Sequence, residues 1–151
     1  MLKRINNTIF MSDGEYQCTW THHKELDVGA TQAKITECEN SWQEEIDACQ
    51  EQIDNYNELK DTINSKMEEA ANLGKKFDEG QGVISNAHIN TNLNSCLNCI
   101  DELQQEFQSM LSECGDKIDE WTQKRDDAKD KKDACKSDTA NEVYREWDSC
   151  D

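Results

Sequence analysis

The sequence predicts an all-α fold: a long antiparallel two-helix hairpin, coiled-coil-like, with an irregular N-terminal arm and, as one option, a short C-terminal helix. Three observations predict it. The 151 residues contain no proline and only six glycines. Hydrophobic residues make up 34% and charged residues 32% of the chain, which suits one buried stripe per helix rather than a thick core. Apolar residues recur at every seventh position along two long segments.

Residues 1–30 are assigned to the N-terminal arm because they lack helical periodicity. A β-hairpin is the alternative for this segment. Asp13-Gly14 lies between two short runs of alternating apolar residues, and this dipeptide is favoured at hairpin turns. The remaining residues, 31–151, form the helical hairpin domain in this interpretation.

The first helix is predicted over residues 31–73. Its stripe repeats every seventh residue through Ile35, Trp42, Cys49, Tyr56, Ile63 and Ala70, and is widened by Leu59 and Leu73. Gly74 follows Leu73 and is suited to a helix C-cap. Residues 74–92 contain three glycines and several Asn and Ser residues, which predicts a long connection.

The second helix is predicted over residues 93–136. Its stripe repeats every seventh residue through Leu93, Ile100, Phe107, Cys114, Trp121, Ala128 and Cys135. Thr139–Glu142 matches the capping-box pattern of a helix start. A C-terminal helical segment over residues 139–150 is therefore expected, either as a new helix or as a continuation of the long one.

Eight cysteines in a chain of this size favour disulfide bonds in an oxidising environment. Matching the two stripes places Cys49 opposite Cys114 and Tyr56 opposite Phe107, so Cys49–Cys114 is the best single bridge. Two reduced core cysteines are the alternative there. The further candidate pairs are Cys38 with Cys135, near one end of the hairpin, and Cys18 with Cys150, near the termini.

The net charge of -17 argues against nucleic-acid binding, which requires a basic surface, and against docking on anionic lipid. No apolar segment is long enough for membrane insertion. The first ten residues lack the apolar run of a cleavable signal peptide. The expected partner is therefore another protein.

Cys96 and Cys99 form the single C-x-x-C spacing of the chain. Zinc-binding modules normally have two such pairs. A zinc-binding helical module is thus a weaker alternative, with Cys96, Cys99, Cys18 and His22 as candidate ligands, and the expectation is no metal and no cofactor. Thioredoxin-like chemistry requires a βαβ context that the sequence lacks. With no nucleophile or phosphate-loop motif either, we do not expect an enzyme.

The segment "YREWD" places Tyr144 and Asp148 in a Y-x-x-x-[DE] spacing, which on a helix puts both on one face. Together with the acidic helical hairpin and the segment "INTNLNSCLNCIDELQQEFQSML", it resembles the small helical-hairpin substrates and partners of type VII secretion, which are WXG-like or LXG-toxin-associated. The resemblance implies a targeting factor that binds the N-terminal helical domain of a secreted toxin. It also implies Tyr144 and Asp148 as an export motif.

The localisation implied is cytoplasmic before export and secreted afterwards. The partner would be an LXG-type toxin or another small helical protein, and a homo-oligomer is an alternative. A disulfide-stapled secreted or surface structural module is the main rival function. The candidate partner-binding residues are Leu59, Leu103, Met110, Val143 and Trp147.

Overall fold

The computed structural model describes residues 3–5, 8–10 and 17–151. Two long helices, α1 (Val28–Val83) and α2 (Ala87–Ala134), pack against each other as a hairpin, which confirms the predicted all-α hairpin. The chain divides into two compact units. The first contains Met1–Trp42 and Asp130–Asp151, and the second, Gln43–Lys129, contains most of both helices. No helix in the described part of the chain is long and apolar enough to cross a membrane.

Helix α1 begins three residues earlier than predicted because Asp27 caps it. The Asp27 carboxylate accepts a hydrogen bond from the Ala30 backbone N–H at 2.9 Å, and the Asp27 carbonyl accepts one from Thr31. This satisfies an N–H group that the first helical turn cannot satisfy internally.

The predicted end of α1 at Leu73 is wrong, because the helix continues through Gly74 to Val83. Two glycines in this extension face α2. A Cβ on Gly74 would lie 3.7 Å from Ile100, and one on Gly80 would lie 3.6 Å from Leu93. Glycine costs a helix about 1 kcal/mol relative to alanine, but packing against a second helix outweighs such a local preference.

The connection between the helices is only three residues long, residues 84–86, so the predicted connection over 74–92 is also wrong. Asn86 caps α2, since its side-chain oxygen accepts hydrogen bonds from the N–H groups of His88 at 3.0 Å and Ile89 at 3.2 Å. The Asn90 side chain donates to the Ile84 carbonyl at 2.7 Å. These bonds close a tight turn between antiparallel helices.

The tight turn sets a register that differs from the predicted one. Matching the stripes placed Leu93 opposite Ala70, whereas the structure places it against Gly80. Gln104 donates to the Met67 carbonyl at 2.9 Å, in agreement with the same shift. The second helix is therefore displaced by about ten residues, or about 15 Å, along the first.

A small antiparallel sheet has the strand order β1 (Lys3–Ile5), β2 (Thr8–Phe10), β3 (Gln17–Leu26) and β4 (Tyr144–Cys150). The N-terminal arm therefore contains β-strands in its described residues. The pairing of β2 with β3 agrees with the hairpin alternative, although Asp13-Gly14 lies outside the described residues. The predicted helical segment over 139–150 is wrong: a 3-10 turn at Thr139–Asn141 is followed by β4, which pairs with β3 along its whole length.

Candidate partner-binding surface

The second unit exposes a set of large apolar side chains on the outside of the hairpin. On α2, the positions Ile89, Cys96, Leu103 and Met110 are spaced by seven residues, and each immediately precedes a residue of the packed seam. On α1, Leu59 and Leu73 have the same relation to the seam residues Lys60 and Gly74. These side chains are therefore not scattered around the helices but follow the heptad repeat.

The two sets lie on the same side of the hairpin. In an antiparallel pair of helices, residues with the same relation to the seam flank it together. We call this surface the apolar flank, and it consists of Leu59, Leu73, Ile89, Leu103 and Met110. Each of the five is between 40% and 46% exposed.

The opposite side of the hairpin differs in composition. Its corresponding positions, one residue after the seam positions, include Asn57 and Asn64 on α1 and Asn94, Asp101 and Gln108 on α2, all exposed. The contrast between the two sides within one unit indicates that the apolar flank is not a consequence of a generally apolar surface. It also supplies matched control positions.

Charges of both signs border the apolar flank, with Lys76 beside Leu73 on α1 and mainly glutamates on α2. Lys66 and Lys117, which occupy flank positions, each lie close to a glutamate: Lys66 is 3.2 Å from Glu69, and Lys117 is 3.1 Å from Glu120. Among the described residues, Glu106 and Glu113 on the adjoining face of α2 have no ion-pair partner. On α2, negative charge thus predominates beside the flank, although the charge of Lys117 also interacts with that of Glu113.

The three predicted partner-binding residues Leu59, Leu103 and Met110 all lie on the apolar flank. Sequence reasoning missed Leu73 and Ile89 as members of the same surface. The signal in the sequence was spacing in multiples of seven, one position before the seam: from Ile89 to Met110 on α2, and from Leu59 to Leu73 on α1.

The other two predicted partner-binding residues belong to the first unit. Val143 is half-buried, and its backbone N–H donates to Thr31 Oγ1 at 2.9 Å. Trp147 is 43% exposed and stacks on His23 with 5.0 Å between ring centroids. The first unit thus presents a separate aromatic surface on β4.

Tyr144 and Asp148 lie on strand β4, so the expectation that they sit one turn apart on a helix is wrong. Four residues of extended chain separate them by about 13 Å, although both point to the same face of the strand. Tyr144 is 45% exposed, and its hydroxyl donates to the Glu142 carboxylate at 2.7 Å, which raises the pKa of Tyr144. Asp148 Oδ1 lies 2.9 Å from His22 Nδ1.

Two disulfides are present in the first unit, and both were among the predicted pairs. Cys18–Cys150 joins β3 to β4 with 5.6 Å between Cα atoms. Cys38–Cys135 joins α1 to the residue that follows α2, with 6.0 Å between Cα atoms. They connect residues that are 132 and 97 positions apart, so both fasten the two ends of the chain together.

The predicted Cys49–Cys114 bridge is wrong, and both residues are buried free thiols. The observed register explains this, because a shift of about 15 Å between facing positions exceeds the Cα separation that a disulfide allows. Burial is the main cause that raises the pKa of the Cys49 thiol, and the nearby carboxylate of Glu45 adds to it.

The candidate zinc ligands do not come together. Cys18 is in a disulfide, His22 lies beside Asp148, and Cys96 and Cys99 are exposed thiols on α2. Within the described residues, no group of three or more His, Cys, Asp or Glu side chains is arranged to hold a metal ion.

No protein-family model, curated protein or solved structure matches the chain.

Proposed function

We propose that the protein is a non-enzymatic, disulfide-stapled binding module that associates with another helical protein in an oxidising environment. The observation that carries the proposal is the apolar flank, five large side chains in heptad spacing on one side of the hairpin. The two long-range disulfides support the choice of environment, because such bonds persist where thiols are not kept reduced.

The energetics favour a partner that lies along the hairpin. Fully burying a Leu or Met side chain stabilises by about 1.5–3 kcal/mol, so covering the exposed part of each flank residue contributes about 1 kcal/mol. Association costs at least about 4 kcal/mol, which the five residues only just offset. A specific complex therefore needs about 800 Å² from each protein, and a helix that contacts successive turns of the hairpin provides such an area.

The charge distribution favours a partner with basic residues beside its apolar stripe. The chain has a net charge of -17, and Glu106 and Glu113 border the apolar flank. Opposite charges at the rim of an interface accelerate association and select partners, whereas a second acidic chain is repelled. We therefore infer that the partner contributes an amphipathic helix with Lys or Arg on its flanks.

A binding titration tests this function with a designed probe. The probe is a helical peptide with leucines at the a and d positions and lysines beside them. The charge control is the same peptide with glutamates in place of the lysines. We expect binding of the lysine peptide that weakens with salt, and at least tenfold weaker binding of the glutamate peptide.

Two double variants distinguish binding at the apolar flank from non-specific attraction between charges. Leu103→Ser with Met110→Ser removes apolar area without changing the net charge, and we expect at least about tenfold weaker binding. Gln105→Ser with Gln108→Ser changes exposed residues outside the apolar flank and should leave the affinity unchanged. Equal affinities for both double variants would contradict the proposed function.

The second candidate function is a type VII targeting factor for a toxin with an LXG-type helical domain. The 45% exposure of Tyr144 favours it, because an export signal must be accessible. Co-expression with such a toxin should give a stable complex that depends on Leu59, Leu103 and Met110. Tyr144→Ala should reduce export of the toxin without loss of the complex. Equal export of the toxin with the variant and with the wild type would argue against this candidate.

A further inference from the structure

We propose that Cys96 and Cys99 form a dithiol exchange site that reacts with a disulfide of a molecule docked on the apolar flank. The inference deepens the proposed function and rests on it for the docking step. The ligand class is a disulfide-bearing protein segment, and Cys96 is the attacking residue.

Cys96 lies within the apolar flank. It occupies the flank position between Ile89 and Leu103 in the seven-residue series, and it is exposed. The flank position of α1 nearest to it is Gly80, which has no side chain to cover the thiol. A helix that lies on the apolar flank therefore contacts Cys96 directly.

The two thiols are close enough in sequence to form a bond with each other. Cys99 follows Cys96 by three residues within the continuous helix α2, and it is also exposed. Residues three apart on a helix have Cβ atoms about 5–6 Å from each other, and a disulfide requires about 3.8 Å. A shift of about 2 Å at this turn would bring the two sulfurs within bonding distance.

The other cysteines are bonded or buried. Cys18, Cys38, Cys135 and Cys150 are already in disulfides, and Cys49 and Cys114 are buried. Among the described cysteines, only Cys96 and Cys99 combine a free thiol with access to solvent. Reactivity of a thiol requires both.

The exchange proceeds in two balanced steps. Cys96 loses its proton to solvent, and its thiolate attacks one sulfur of the partner disulfide. A mixed disulfide forms, and the other partner sulfur leaves as a thiolate that takes up a proton. Cys99 then attacks the Cys96 sulfur as a thiolate and releases the second partner thiol. The partner disulfide has accepted two electrons, and Cys96–Cys99 has become a disulfide, so each chain that arrives with both thiols free exchanges once and does not turn over.

Oxidised glutathione serves as the small-molecule probe, applied to the full chain with its two native disulfides intact. Mass spectrometry without reduction follows the products. We expect the wild type to lose two protons and retain no glutathione, whereas Cys99→Ser retains one glutathione on Cys96. The adduct on Cys96 should form at least about tenfold faster than any on Cys49 or Cys114. Cys114→Ser is the control and should react like the wild type.

Three results would overturn the exchange site: no adduct in Cys99→Ser, preferential reaction at a buried cysteine, or a glutathione adduct that persists in the wild type. The docking step has its own probe, the lysine peptide dimerised through a terminal cystine. It should react at least about tenfold faster than oxidised glutathione, and Leu103→Ser with Met110→Ser should abolish the difference. A peptide disulfide that reacts no faster than glutathione overturns the docking step.

The two proposals fail in distinguishable ways. If the lysine peptide does not bind but Cys96 and Cys99 react with oxidised glutathione as expected, the binding function is contradicted. Intact peptide binding with unreactive Cys96 and Cys99 contradicts only the exchange site.

Discussion

At the residue scale, single polar side chains define where the helices begin. Asp27 begins α1 directly after β3, and Asn86 begins α2 after a three-residue turn. Both residue types are expected at these positions, because a short side-chain oxygen reaches the free N–H groups of the first turn. Neither position was predicted from the sequence, since the chain contains many Asn and Asp residues and only the tertiary turn selects one of them.

Replacement of the α1 cap should have a measurable cost. We expect Asp27→Ala to lower the free energy of unfolding by about 1 kcal/mol, because the Ala30 N–H loses its acceptor. Urea denaturation followed by circular dichroism measures the change. Asp61→Ala, at an exposed position within α1, is the control and should shift the free energy by less than about 0.5 kcal/mol.

The buried Cys49 thiol should make stability sensitive to alkaline pH. Its pKa is raised above the ordinary value of 9.0, so the unfolded chain releases this proton at a lower pH than the folded chain does. The stabilisation is therefore complete below about pH 9 and is lost as the pH rises through the raised pKa. The urea midpoint should fall more between pH 7 and pH 10 in the wild type than in Cys49→Ala. Cys96→Ala, which changes an exposed cysteine, is the control and should behave like the wild type. The same pH dependence in Cys49→Ala and wild type would disprove the assignment.

At the element scale, the heptad repeats predicted the buried faces well. Among the residues whose burial is described, six of the buried apolar residues belong to the two seven-residue series: Cys49, Ile63, Ala70, Cys114, Ala128 and Cys135. The other two, Ile46 and Ile53, lie four residues after Trp42 and Cys49 and complete the same face of α1. The repeat could not fix the register, because sliding one stripe along another preserves the match of apolar residues. The short turn at residues 84–86 and the bond from Gln104 to Met67 choose among these registers.

Strand β4 was the other element that the sequence did not reveal. The capping-box pattern at Thr139–Glu142 is compatible with a helix, and local preference alone does not exclude one. The strand forms because it pairs with β3, more than a hundred residues away in sequence, and the Cys18–Cys150 disulfide closes the pair. Such long-range pairing overrides a local helical signal.

Two helical glycines offer a test of the helix boundaries. Gly82 lies in the part of α1 that was predicted to be a connection, and a Cβ there would meet no atom within 4 Å. We expect Gly82→Ala to raise the free energy of unfolding by about 0.5–1 kcal/mol, since alanine favours the helix. Gly115→Ala, in the middle of α2 and equally open, is the matched comparison and should give a similar gain. A loss of stability in Gly82→Ala alone would mean that the helix ends before this position.

At the scale of the whole molecule, a thin helical core is combined with two long-range covalent links. A net charge of -17 opposes compaction by self-repulsion, and only one stripe per helix is buried. Disulfides between the two ends of the chain restrict the unfolded ensemble and offset this weakness.

Removal of the Cys38–Cys135 bridge should therefore be strongly destabilising. We expect Cys38→Ser with Cys135→Ser to lower the free energy of unfolding by about 4–5 kcal/mol, as chain entropy predicts for a loop of this length. Thermal unfolding in the absence of reductant measures the loss. Cys96→Ser with Cys99→Ser changes two exposed thiols and should leave the stability nearly unchanged.

Disulfide mapping of the unreduced protein reports the register of the hairpin, and this register decides which residues share the apolar flank. Proteolysis followed by mass spectrometry should recover Cys18 linked to Cys150 and Cys38 linked to Cys135, with Cys49 and Cys114 as free thiols. Recovery of Cys49 linked to Cys114 would require the helices to be displaced by about ten residues from the register described. That result would separate Leu59 and Leu73 from their neighbours on α2 and would rule out the apolar flank as one continuous surface.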